Sequence, residues 1–432
     1  MKILFVATGR AGFTVKNKTL INELTLKFFP KRRPLTFPIL AALTSKKHTV
    51  SLIEGPIDNI NYDKEWDVVG ISCTTPYAYT AYEIADEFRK RGRFVVLGGW
   101  HPSTMPNEAK EHADSVVIGE AEETWPQLLD DFEKRKTKSF YFQERPAEPS
   151  LIPHPQSDIY PKGTTLGGVQ ATRGCPYGCE FCIDTNREYI RKFRMRPVEN
   201  VIKDIRMIPS KIFFFYDNSL TINPEYSKEL FKNMKDMNKK FGAFANIDLL
   251  SKDDEFLKLA SEAGCISLTI GFESICQESL KESGKKTNLV NQYMAAIKKI
   301  HDYNITITGT FVFGFDHDTL DIFDRTDEFI NVSEIDAPVD HILTPYPGTP
   351  LFNRLEREGR ILTKDWTKYT TRDVVFQPKN MTPKELLDNT IKLRRRWYKT
   401  YNILRRSMMS LRFGYYPFFY RATANINYVA RD

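Results

Sequence analysis

Twice along this chain, short apolar runs alternate with helix-like segments, and that double alternation leaves few folds open. The first series occupies residues 3–7, 37–44, 50–54, 68–72, 78–90, 94–98, 109–112 and 115–118. Strands separated by helices in this way argue for a parallel sheet covered on both faces. The second series has apolar runs at 168–172, 211–216, 243–247, 266–270, 305–313 and 341–344, with helices expected at 224–241, 253–263 and 288–303. Six strands with crossover helices suggest a barrel, or an open part of one, active at its C-terminal face. Between them, Pro146, Pro149, Pro153, Pro155 and Pro161 break the pattern and mark a linker. At 432 residues the chain is too long for one core. The expected α/β division is a doubly wound unit over 1–140, a linker over 141–165, a barrel over 166–375 and a helical region over 376–432.

In sheets of the first kind, ligands sit beyond the carboxyl ends of the strands. The turns there read Ala7-Thr8-Gly9-Arg10, Ser72-Cys73-Thr74-Thr75, Gly98-Gly99-Trp100-His101 and Gly119-Glu120. They are small and polar, as close approach of a ligand to the backbone requires.

The turn after the first barrel strand carries the chemistry. Six cysteines are too few for a disulfide scaffold, and three of them crowd into Cys175-Pro176-Tyr177-Gly178-Cys179-Glu180-Phe181-Cys182. Glycine and proline let such a loop curl so that thiolates converge. A structural zinc site would call for a fourth local ligand, and a ferredoxin-type cluster for a fourth cysteine; neither is nearby. Three thiolates leave a four-iron cluster with one open iron, where another molecule can bind. Cys73, Cys265 and Cys276 lie apart in apolar or helical surroundings and read as small buried hydrophobes.

The spacing Cys-x3-Cys-x-aromatic-Cys, with Phe181 as the aromatic, resembles the radical S-adenosylmethionine superfamily. That resemblance implies a [4Fe-4S] cluster held by Cys175, Cys179 and Cys182. S-adenosylmethionine would chelate the open iron, and reductive cleavage would give a deoxyadenosyl radical, fed by an electron donor such as flavodoxin or ferredoxin. It also implies cofactor contacts from Asp217 and Asn218 at the end of the second barrel strand, from Gly271, Glu273 and Ser274 at the end of the fourth, and from Gly309 and Phe311 on the fifth. The turn Thr344-Pro345-Tyr346-Pro347-Gly348-Thr349-Pro350 recurs in this group after the sixth strand and would border the active-site mouth, with Tyr346 as its catalytic candidate.

The first unit resembles the cobalamin-binding domain that precedes the barrel in one branch of that superfamily. The matching segments are 69–72, 95–103 and 115–122, and the cofactor contacts implied there and in the adjoining turn are Ser72, Thr74, Gly98, Gly99, His101, Ser103, Gly119 and Glu120. The histidine motif Asp-x-His-x-x-Gly, which ligates cobalt in other cobalamin domains, does not occur, so cobalt would have no histidine beneath it. With cobalamin, the implied activity is C-methylation of an unactivated carbon in a small-molecule or lipid-like substrate. Carbon–carbon bond formation, cyclisation or rearrangement without methyl transfer is the alternative, and a non-catalytic cobalamin or metal-binding regulator is an alternative of another class.

Net charge is +7, from 62 basic and 55 acidic residues. From Lys392 onward, ten Arg/Lys face the single acid Asp432, so this segment carries +9 and the remainder −2. Ten aromatics are interleaved with those cations. The mixture suits a helical cover on the barrel, or a peripheral contact with anionic lipid, better than nucleic acid. No stretch reads as a signal peptide or membrane span, so the expected location is cytoplasmic, with attachment at the inner membrane face as the variant.

Overall fold

The computed structural model describes residues 1–8, 31–32, 34–54, 60–160, 165–185 and 191–429. Gly9 and Arg10 of the first turn, residues 161–164 of the proline-rich passage and residues 430–432 lie outside these.

Fifteen strands are described among these residues: β1 (Lys2–Ala7), β2 (Lys31–Arg32), β3 (Thr49–Glu54), β4 (Val68–Ser72), β5 (Phe94–Gly98), β6 (Ser115–Ile118), β7 (Phe140–Phe142), β8 (Thr165–Val169), β9 (Thr172–Arg173), β10 (Arg194–Met195), β11 (Ile212–Phe215), β12 (Lys240–Ala245), β13 (Cys265–Glu273), β14 (Thr306–Phe313) and β15 (Ala337–Ile342). The first sheet runs β3-β1-β4-β5-β6-β7, with its strand pairs parallel. Its alternation explains the unbroken apolar runs. Ile3 and Phe5 of β1 face a core shared with Phe37, Trp125 and Leu128, whereas Leu4 and Val6 face one shared with Ala81, Ile84 and Phe88. A strand buried on both faces has no polar side to show. The order reverses at β1, between β3 and β4, so the crevice for a ligand opens at the ends of β1 and β4. There the Thr8 hydroxyl donates to the Ser72 carbonyl at 3.1 Å.

The second sheet runs β15-β14-β13-β12-β11-β8-β2, again with parallel pairs. Six of its strands follow chain order, as in a barrel left open. The seventh is β2, which pairs Lys31 and Arg32 with Thr165 and Leu166. One strand from the expected 1–140 unit therefore belongs to the barrel sheet, while β7 carries the first sheet into the expected linker. The cores cross the boundary too: Phe352, Trp366, Tyr369 and Val375, which follow the barrel strands, pack into the core beneath the first sheet.

The helix expected over 224–241 ends at Met234, and the next strand starts at Lys240. Asn238, with φ 51, breaks the apolar periodicity, which therefore belongs to two elements. The C-terminal helices occupy Pro383–Trp397, Thr400–Ser410 and Tyr415–Val429. The first starts with the capping box of Thr382 and Glu385. The last closes the base of the barrel. Arg421, with no exposed surface, donates to Thr306 Oγ1 at 2.7 Å, Thr308 Oγ1 at 2.5 Å and Ser267 Oγ.

Candidate active site

The cysteine loop leaves β9 through Gly174, at φ 80, and is pinned on three sides. From below, Asp217 takes hydrogen bonds from the amides of Ala171 and Thr172 and from the Thr172 hydroxyl, the last at 2.6 Å. Its carboxyl is buried, and burial raises its pKa to about 6 against those donors. Asp217, expected at the cofactor, braces the strand from which the loop springs. Asn218 does reach the loop, donating to Asp184 at 2.7 Å, just beyond Cys182. From the side, the Glu180 amide donates to the Ser283 carbonyl at 3.0 Å, and a Cβ on Gly284, at φ 73, would lie 2.8 Å from the Gly178 carbonyl. From above, the helix Pro350–Arg357, capped by Thr349, donates its Leu351 amide to the Glu180 carbonyl at 3.0 Å. Arg354 of that helix binds the Glu180 carboxylate at 2.5 Å and Asp316 at 2.9 Å. The turn before this helix thus borders the loop.

Burial pushes all three cysteine thiols upward, and each thiol of Cys179 and Cys182 also feels its neighbours. Their deprotonation calls for positive charge at this spot. Among the described residues no three His, Cys, Asp or Glu side chains converge as around one metal ion. A cubane, whose ligands attach to separate irons, asks three thiolates of one loop to lie near one another without converging on a single atom, and this loop offers them. Phe181 packs against the barrel core, its ring 6.0 Å from that of Phe315.

Sequence reasoning missed Lys285. Its Nζ lies 3.0 Å from Glu273 Oε1. Burial opposes its charge, but Glu273 and the thiols of Cys179 and Cys182 outweigh burial and raise its pKa. The signal was Gly284-Lys285 after a helix: the glycine turn brings this lysine under the cluster loop. Glu273 is placed by a bulge in β13, where Gly271 and Glu273 pair with the consecutive residues Thr310 and Phe311, and Glu273 takes φ 61. Asn288 donates to the carbonyls of Gly271 and Phe272, and Tyr293 to that of Phe272, which fixes the bulge. A Cβ on Gly271 would strike Glu273 Oε1 at 2.2 Å. Ser274 is buried and its hydroxyl accepts from the Cys276 amide, which closes the turn after β13.

Gly309 and Phe311 share one face of β14. A Cβ on Gly309 would point at Phe272 and Ile335, and the Phe311 ring stacks on Phe272 at 5.5 Å and meets Trp397 at 6.1 Å. Both therefore face the covering helices. Strand alternation places Thr308 and Thr310 on the other, inner face, with Thr308 holding Arg421. Tyr346 packs at the seam with the first unit, its ring 6.5 Å from that of Tyr369, and burial raises its pKa to about 12.

At the edge of the first sheet, Ser72, Gly98, Gly99 and Gly119 are half-buried and Thr74 is exposed. Gly99 sits at φ 100, where a Cβ would lie 2.7 Å from the Cys73 carbonyl. That edge offers a flat cofactor accessible backbone with little side chain in the way, which fits cobalamin. His101 and Ser103 are turned inward. His101 lies between Thr75, at 3.3 Å, and Glu108, at 3.1 Å, with the Trp366 ring 5.4 Å away; Ser103 receives the Gly119 amide at 3.0 Å. They brace the edge.

Glu120 joins the two edges. It binds Arg194 at 2.7 Å and lies 3.5 Å from Arg173, while Glu122 binds Arg173 at 2.5 Å. Burial works against the Glu120 charge, yet these guanidiniums hold its pKa down at about 2. Arg173 immediately precedes Gly174-Cys175, so an ion-pair clamp ties the cobalamin-type edge to the cluster loop. Glu120 is thus a joint between the two edges.

Family comparisons agree with this arrangement. The Radical SAM superfamily matches residues 169–330, the B12 binding domain 36–129, and a Domain of unknown function (DUF4070) 349–425. The chain is 35% identical over 387 residues to the bacteriochlorophyllide d C-12(1)-methyltransferase of Chlorobaculum tepidum, covering 86% of this chain and 84% of that one. It is 33% identical over 365 residues to the C-8(2)-methyltransferase of the same organism, covering 80% and 81%. In fold it resembles the radical S-adenosylmethionine methyltransferase TsrM of Kitasatospora setae, solved with cobalamin and a [4Fe-4S] cluster, with TM-score 0.64 at 15% identity over 83% of this chain and 78% of that one. An enzyme using a [4Fe-4S] cluster, S-adenosylmethionine and cobalamin follows, and the chain belongs to the cobalamin-dependent radical S-adenosylmethionine methyltransferase family.

Proposed function

We propose that this enzyme methylates an unactivated carbon of an apolar, ring-bearing small molecule. The observation that carries the reading is the clamp of Glu120 and Glu122 on Arg173 and Arg194, which holds the two cofactor edges together. A methyl carrier and a hydrogen-abstracting centre serve one carbon only if both are kept at a set distance from it. The two Chlorobaculum tepidum relatives are named for methyl transfer to a bacteriochlorophyllide, which supports both the reaction and the substrate class.

When bound, the cluster and S-adenosylmethionine supply a hydrogen-abstracting radical, and the corrinoid supplies the methyl group. Cys175, Cys179 and Cys182 would hold the cluster. Lys285 and Glu273 present a cation and an anion beside it, suited to the carboxylate and ammonium of the methionyl group. The backbone around Ser72, Gly99 and Gly119 would hold the corrin. On the inner barrel face between them, Tyr216 and Phe244 offer aromatic surface for a flat substrate, with Phe244 and Tyr216 each packed on Phe214.

The test is anaerobic turnover of the reconstituted enzyme with S-adenosylmethionine bearing a deuterated methyl group, in the presence of tetrapyrrole and polycyclic lipid fractions. The expected result is deuterated methyl in a carbon-methylated product together with deoxyadenosine. Deoxyadenosine accompanied by a rearranged or cyclised product without the label would overturn the assignment.

A further inference from the structure

The helix Thr400–Ser410 is inside out. It buries Arg406, Ser407 and Ser410, with the Ser410 hydroxyl donating to Asp336 at 3.0 Å and Arg406 donating to the Trp397 carbonyl at 2.7 Å. Toward solvent it turns Tyr401, Leu404 and Met408, which are 73%, 59% and 60% exposed, and the turn Leu411–Phe413 adds Leu411 at 44%. The spacing of three, four and three residues sets these four on one stripe of a helical path. A surface helix ordinarily arranges its faces the other way round.

Charge identifies what the stripe meets. Arg405 and Arg412 border it, reaching Asn331 at 3.2 Å and Glu334 at 2.8 Å on the neighbouring helix Ile322–Ser333 and its cap. Val332, next to Asn331, extends the apolar surface at 64% exposure. Lys392, Arg395 and Lys399 are exposed just ahead of the stripe, and from Lys392 to Val429 the chain has no acidic residue. Apolar side chains projecting from a cationic rim match the boundary of an anionic bilayer, where rings and aliphatic chains enter the headgroup layer and arginines stay with phosphate. Nucleic acid would leave the aliphatic stripe without a partner. Among the described residues no helix is long and apolar enough to cross a membrane, so the contact lies in the plane of the surface.

We infer that residues 392–411 dock this enzyme on anionic lipid surfaces, with Tyr401, Leu404, Met408 and Leu411 inserted and the arginines and lysines at the headgroups. The docking is independent of the reaction assigned above.

Sedimentation with vesicles of mixed phosphatidylglycerol and phosphatidylcholine tests it on the full chain. The wild-type protein should partition onto these, not onto pure phosphatidylcholine, and the affinity should fall with added salt. Leu404→Asp combined with Met408→Asp should weaken partition about tenfold or more, while the melting temperature and anaerobic deoxyadenosine release stay unchanged. Arg405→Gln with Arg412→Gln, which keeps the stripe, should weaken it several-fold. The inference fails if the wild-type protein ignores anionic vesicles, or if either pair leaves partition unchanged. It also fails if the stripe proves to be a contact between two copies, seen as a dimer that the aspartate pair converts to monomer with no change in vesicle binding.

Discussion

The barrel and the first sheet each present a carboxyl edge to a cofactor, and they do so by different means. At the barrel the cofactor-facing positions are reactive side chains: three thiols, with Lys285 and Glu273 at 3.0 Å from one another. At the first sheet the side chains with polar reach, His101, Ser103 and Glu120, are engaged with protein partners, and what remains accessible is Thr74 and half-buried backbone around glycine. The difference follows from the ligands. Iron is bonded to particular atoms and dictates residue type, whereas a corrin is met over an area and dictates clearance. One edge is therefore sensitive to chemistry, the other to volume.

The strongest way to break this contrast is Cys179→Ala. Iron content of the reconstituted protein and deoxyadenosine release should both fall to background, while corrinoid content, read from the visible spectrum, stays that of wild type. Loss of corrinoid as well would mean that the two edges are not independent. Arg173→Met comes next: opening a buried ion pair on one side costs about 3 kcal/mol, expected as a lowered melting temperature. Because cleavage would continue while the methyl source is misaligned, deoxyadenosine per methylated product should rise, and an unchanged ratio would reduce the clamp to a structural tie.

Glu120 gives the pH arm. Its pKa in the folded protein is about 2, below the ordinary 4.5, so its stabilisation is complete above about pH 4.5 and is lost as pH falls toward 2. The contribution is on the order of 3 kcal/mol. Glu120→Gln should remove that component, seen as a flatter stability curve in this window; an identical curve would contradict the clamp. Lys285→Met removes one charge-assisted contact of about 2 kcal/mol, expected as a KM for S-adenosylmethionine raised roughly 10–100-fold with cluster content unchanged. Smallest is Gly99→Ala, whose Cβ would crowd the Cys73 carbonyl at positive φ. We expect about 1–3 kcal/mol of local strain and weaker corrinoid retention, with deoxyadenosine release intact. Full retention of corrinoid would show that volume is not what this edge controls.

The same contrast explains what could be read in the sequence. The cluster loop was legible because its ligands must be cysteines at a fixed spacing, and both sheets were legible because strands buried on two faces leave continuous apolar runs. The clamp on Glu120 is not legible there, because position alone says nothing of Arg173 and Arg194, which reach it from 53 and 74 residues away in the chain. For Gly309 and Phe311 the strand is legible but its facing is not: the run 305–313 alternates threonine with apolar residues, and only the paired structure shows which set faces inward. Asp217 was recognised as important by its place at a strand end, yet its partners are backbone amides, which leave no mark in composition. Lys285 belongs to a loop, outside any strand-end pattern. In the tail, aromatic and basic residues were visible, but their division into a barrel closure around Arg421 and an exposed stripe at 401–411 depends on helix rotation.

Arg421 also imposes an order on assembly. Its hydroxyl partners Thr306 and Ser267 are made 115 and 154 residues before it. During synthesis the strands can therefore close around the cysteine loop while the floor of the barrel is still missing. Until Arg421 arrives, the hydroxyls of Thr306, Thr308 and Ser267 lack this partner, so the floor of the barrel is set last, after every strand of its sheet.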